Sequence, residues 1–94
     1  MKDPQRELAN RVRLAVTLQY LDRYDDADGH FQMALKATLE DELQVYRDMV
    51  LQYWGKLLAE QGKYEAALTC FEQALLLRKA KQDEVLIEDS EDAI

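Results

Sequence analysis

The chain matches itself at an offset of 40 residues. Tyr24-Asp25-Asp26-Ala27 aligns with Tyr64-Glu65-Ala66-Ala67, Phe31 with Phe71, Ala34 with Ala74 and Leu35 with Leu75. A match of this length at one fixed offset is the mark of a stacked two-helix repeat, in which each copy is a supersecondary unit unable to bury its apolar face alone. Such a chain reads as a scaffold and not as a catalyst.

The 94 residues suffice for one domain with one modest core. Three glycines and one proline, set among abundant Ala, Leu, Glu, Gln and Lys, favour helix almost throughout. No apolar run approaches the roughly 18 residues of a membrane helix, and Met1-Lys2-Asp3-Pro4 does not open a signal peptide, so the expectation is a soluble, cytoplasmic protein without membrane contact. The lone Cys70 has no disulfide partner and reads as a small buried apolar residue. The net charge of -7 is concentrated at one end: Asp83, Glu84, Glu88, Asp89, Glu91 and Asp92 leave 12 basic against 13 acidic residues for the rest. Neither part suits nucleic acid.

Asp3 before Pro4 predicts an N-cap and a first helix over about 4–21. The turn Asp22-Arg23-Tyr24-Asp25 tolerates left-handed backbone, and Asp25 is placed to cap a second helix over about 26–38. A break near Glu40 and Asp41 opens a third helix over about 42–61. Gly62 ends it, and a fourth helix follows over about 64–81. Both odd-numbered helices are apolar on two sides. Leu14, Leu18 and Leu21 are expected to pack on the second helix with Val12, Val16 and Tyr20 nearly opposite; Leu51, Trp54 and Leu58 form one face of the third, and Val45, Met49 and Tyr53 another.

Leu14-Ala15-x-x-Leu18, Ala27-x-x-x-Phe31-x-x-Ala34, Leu51-x-x-Trp54-Gly55-x-x-Leu58 and Ala67-x-x-x-Phe71-x-x-Ala74 resemble the tetratricopeptide repeat (TPR) pattern, in which small residues let paired helices approach and aromatics fill the gaps. The segment Leu58 to Leu68 is the strongest part of that resemblance. It implies an all-α fold of two repeats, about 5–39 and 42–81, within a domain over 1–82, and an acidic segment over 83–94. The spacing departs from the usual 34, and Leu39 and Lys79 replace the closing proline. The extra six residues are expected to lengthen one helix end and the next helix start by nearly a turn each. Repeats this long are similar to those of kinesin light chains and bacterial peptide-sensing regulators, although the histidine-proline junction of the kinesin type is absent.

The resemblance also implies that the first helix of each pair lines a concave groove. Val12, Val16, Tyr20, Met49, Gln52, Tyr53 and Lys56 are then the groove residues, suited to an apolar helix or peptide; the alternative is that some of them bury against the neighbouring repeat. Some TPR proteins grip acidic C-terminal peptides of chaperones with Lys and Asn on these helices. Val12 and Val16 stand at the corresponding positions here and cannot hydrogen-bond a carboxylate.

Other constellations are weaker. Asp26-Ala27-Asp28-Gly29 imitates the centre of a calcium loop, but Tyr24 and Leu35 then fall at its first and last ligand positions, so acids at a helix start are the better reading. His30 falls at the repeat position of Cys70, and neither has a catalytic partner. The acidic end reads as a short capping helix, the start of a truncated third repeat, or a disordered tail; its Val85-Leu86-Ile87 core among acids also resembles a SUMO-interacting motif. The expected function is protein or peptide binding in the groove, without enzymatic activity, cofactor or metal. The alternatives are a homodimerisation module and a fragment of a longer array.

Overall fold

Asp3 begins the first helix as the sequence predicts: its carboxylate accepts from the backbone N–H of Gln5 at 3.1 Å and of Arg6 at 3.2 Å, and Pro4 takes the first helical position. In the computed structural model, which describes the backbone of residues 3–93 and the side chains of residues 3–81, four α-helices follow one another: α1 (Pro4–Tyr20), α2 (Tyr24–Ala37), α3 (Arg47–Glu60) and α4 (Tyr64–Ala93). The fold is all-α, and no strand occurs among the described residues. α1 packs on α2, α3 on α4, and the two pairs join through α2 and α3.

Two identical turns close the pairs. Asp22 and Gly62, 40 residues apart, adopt positive φ of 60° and 79°. The next N–H of each reaches back to a leucine carbonyl, Arg23 to Leu18 and Lys63 to Leu58, both at 2.9 Å. This is the Schellman arrangement, which satisfies carbonyls that a helix end leaves free. α2 starts two residues earlier than expected, at Tyr24, with Arg23 in the cap position and no side-chain cap bond; Asp25 lies inside the first turn.

The six extra residues of the long repeat do not extend helices. Thr38–Glu40 form a turn and Asp41–Tyr46 a 3-10 helix, which ends where α3 begins at Arg47. Leu43 is buried at 3% exposure in the first core and anchors this segment, while Asp41, Glu42, Gln44 and Val45 around it face outward. One buried side chain in six satisfies a tight connector but not an amphipathic α-helix.

The core has two clusters, one per pair. Leu8, Val12, Ala15 and Leu18 of α1 meet Ala27, Phe31 and Ala34 of α2, joined by Val50 and Leu57 of α3. Leu51 and Leu58 of α3 meet Ala67, Cys70 and Ala74 of α4. The inward face of α1 therefore differs from expectation: Leu14 and Leu21 are 45% and 63% exposed, and Val12 lies inside at 6%. The small residues do set the helix approach. A Cβ on Gly55 would lie 2.7 Å from the Phe71 ring, closer than side chains tolerate. α4 continues unbroken to Ala93; the expected cap and SUMO-like motif fall on side chains outside the described residues.

Candidate functional site

α1 and α3 lie on the same side of the stack, and between them opens a cleft of about 200 Å³ lined by Val16, Gln19, Tyr20, Tyr53, Lys56 and Glu60. Its residues come from one stripe on each helix. Val16 and Tyr20 are four apart on α1, Tyr53 and Lys56 three apart on α3, so each pair projects from one side of its helix. Tyr20 is 84% exposed and Tyr53 38%, which leaves two aromatic rings in solvent at the rim. The Lys56 ammonium stands 5.6 Å from the centre of the Tyr53 ring, within reach of its negative face.

Four of the seven sequence-expected groove residues, Val16, Tyr20, Tyr53 and Lys56, thus come together. The other three lie elsewhere. Val12 is in the first core cluster, and Met49 packs against that cluster from α3. The Gln52 side-chain Oε1 accepts from Arg78 at 2.7 Å and is committed to the α3–α4 joint. Gln19 and Glu60 also line the cleft and are not among the seven expected residues. Stepping by three from Val16 and by four from Lys56 reaches both positions.

Gln52 belongs to a polar cluster that locks α4 onto the start of α3. Asp48, buried at 9% exposure, accepts from Lys81 at 2.8 Å and pairs with Arg78 at 3.4 Å, while Lys81 also donates to the Val45 carbonyl at 2.6 Å. Burial pushes the Asp48 carboxyl upward, but the Lys81 hydrogen bond and charge, the Met49 N–H and the Arg78 charge together hold it below the ordinary aspartate range. This cluster is a structural clasp between α3 and α4, with the Arg78 and Lys81 side chains still partly open to solvent.

Two of the acids at the start of α2 are likewise engaged. Asp28 accepts from the Trp54 indole N–H at 2.7 Å and from Gln32 at 2.6 Å, and Asp26 pairs with Arg23 at 2.7 Å. No group of three or more His, Cys, Asp or Glu able to hold a metal occurs among the described residues. The Cys70 thiol is buried, which raises its pKa and weakens it as a nucleophile. His30 Nδ1 lies 3.1 Å from the Arg11 guanidinium, which has no lone pair to offer, so the ring nitrogen is the acceptor in this contact.

Residues 49–80, which cover most of α3 and the first half of α4, match the family model of the tetratricopeptide repeat. The match takes in Trp54, Gly55, Ala67, Phe71 and Ala74, the side chains that set the approach of these two helices. TPR segments mediate contacts between proteins. The first pair stands in the same relation to the second as its 40-residue offset predicts, with the same turn geometry and with Ala27, Phe31 and Ala34 buried where Ala67, Phe71 and Ala74 pack. No curated protein and no solved structure matches the chain. Among the described residues, no helix is long and apolar enough to cross a membrane.

Proposed function

We propose that the chain is a protein-binding scaffold that takes an amphipathic helix or peptide across the cleft between α1 and α3. The observation that carries this reading is the pairing of Val16 and Tyr20 with Tyr53 and Lys56 at one opening, with both tyrosine rings solvent-exposed. Exposed tyrosines bring apolar area at low entropic cost and are enriched where proteins meet. A volume of about 200 Å³ falls below the roughly 300–1,000 Å³ of small-molecule sites. It suits one or two anchoring side chains of a larger partner instead of a cofactor.

The cleft favours aliphatic anchors over a terminal carboxylate. Val16 has no donor, Val12 is inside the core, and the single ammonium of Lys56 shares the cleft with the Glu60 carboxylate. A carboxylate seated on valine would lose hydration without compensation. Fluorescence anisotropy with a labelled leucine-rich helical peptide and a labelled acidic C-terminal peptide tests this. The helical peptide should bind more tightly, and Tyr53→Glu or Val16→Asp should weaken it at least about tenfold, a loss of one aromatic or aliphatic anchor. Tighter binding of the acidic peptide, or affinity untouched by both substitutions, would overturn it.

A further inference from the structure

The joint between the two pairs has a translated image at the two ends of the chain. Leu35 of α2 and Trp54 of α3 each pack against both core clusters, and the Trp54 indole N–H donates to Asp28. Forty residues away these three positions become Leu75, Leu14 and Leu68. All three are exposed, at 55%, 45% and 56%. The Trp54–Asp28 hydrogen-bonded pair is replaced by two leucines, so both members change together and remain compatible with each other. A second pair behaves likewise: Arg47 donates to the Thr38 hydroxyl at 3.2 Å in the internal joint, and the translated positions hold Glu7 and Arg78, which are oppositely charged.

The receiving surface is open as well. In the second pair, Leu35 packs against a cluster that includes Leu51 and Cys70, flanked by Trp54 and Leu77. The counterparts in the first pair, Arg11, His30, Leu14 and Ala37, line a cleft of about 780 Å³ between α1 and α2. Arg11 crosses it to reach His30 and the Met33 sulfur, presenting its aliphatic stem.

We propose that a second copy of this chain docks in that cleft through the Leu68–Leu75 face of its α4, continuing the 40-residue step from one molecule to the next. The contact is head to tail, so it propagates into an open series instead of closing as a two-fold dimer. It is also weaker than the internal joint. Val50 and Leu57, fully buried there, become Asn10 and Thr17, and Leu51 becomes Arg11. Polar residues at these places keep the leading face soluble when unpaired and make the stacking reversible.

Sedimentation velocity on the full chain, from about 1 μM to about 1 mM, reads this out. The wild type should gain mass with concentration without stopping at a dimer. Leu14→Glu and Leu68→Glu, each on an exposed helical position that accepts glutamate, should stay monomeric alone with unchanged circular dichroism. Mixed in equal amounts they should form dimers and nothing larger, because one retains an intact α4 face and the other an intact cleft. Asn10→Val with Thr17→Leu, which restores the apolar pattern of the internal joint, should move association to at least about tenfold lower concentration. A mixture that stays monomeric would overturn the proposal, as would association unaffected by Leu14→Glu, which would indicate pairing through α4 alone. Failure of the apolar double variant to associate would overturn it too. None of these residues lines the α1–α3 cleft, so the outcome is independent of peptide binding there.

Discussion

Asp22 and Gly62 make the same left-handed step in the two turns, yet only glycine does so without a Cβ contact against the carbonyl. Asp22→Gly is therefore expected to raise stability by up to about 1 kcal/mol, and Gly62→Ala to lower it by about as much. Urea midpoints at constant slope check both. Gly55 is constrained differently. Alanine there gains roughly 1 kcal/mol of helix propensity but must displace a ring 2.7 Å away, and overpacking commonly costs about 1–3 kcal/mol. Gly55→Ala should lower the melting temperature, and Phe71→Leu added to it should restore part of the loss. If Gly55→Ala alone stabilises, the close approach of α3 and α4 is looser than the structure shows. These small residues were legible in the sequence because they recur or stand at repeat positions. The inward position of Val12 was not, since Leu14 and Leu21 are larger and draw the apolar stripe toward themselves.

At the scale of elements, the α3–α4 clasp confers a pH dependence. Asp48 titrates lower folded than unfolded, so its stabilisation is fully present above the unfolded value near ~4 and is lost as pH falls through the folded value. Between about pH 5 and pH 3, the urea midpoint of the wild type should fall more steeply than that of Asp48→Asn. Parallel acid limbs would mean that Asp48 is not held by Lys81 and Arg78. Helix number and order follow from the cap at Asp3, the two turns and the 40-residue offset, all local signals. The sequence places residues 42–46 of the 3-10 segment at the start of the third helix, because Val45 falls on the four-residue step of Met49 and Tyr53. Only Leu43 is fully buried, and a one-residue anchor leaves little periodicity to detect. Likewise, α4 has no break at Lys81, where the acidic stretch was expected to begin a separate segment.

For the whole molecule, the offset that organises the core also places Val16 and Tyr20 beside Tyr53 and Lys56, because stacking the pairs brings α1 and α3 to one side. The cleft was only half legible. Periodicity identifies the outer faces of α1 and α3, but it does not tell which of those residues the neighbouring helix covers, and so it does not separate Val12, Met49 and Gln52 from the residues that open to solvent. Whether a helix seats in the α1–α3 cleft is read most directly from an NMR titration of the ¹⁵N-labelled chain with an unlabelled leucine-rich amphipathic helical peptide, followed by backbone amide shifts. The largest saturable changes should cluster at Val16, Gln19, Tyr20, Tyr53 and Lys56. Changes confined to Leu68 and Leu75 on α4, or no saturable change at any residue of the α1–α3 cleft, would contradict that seating.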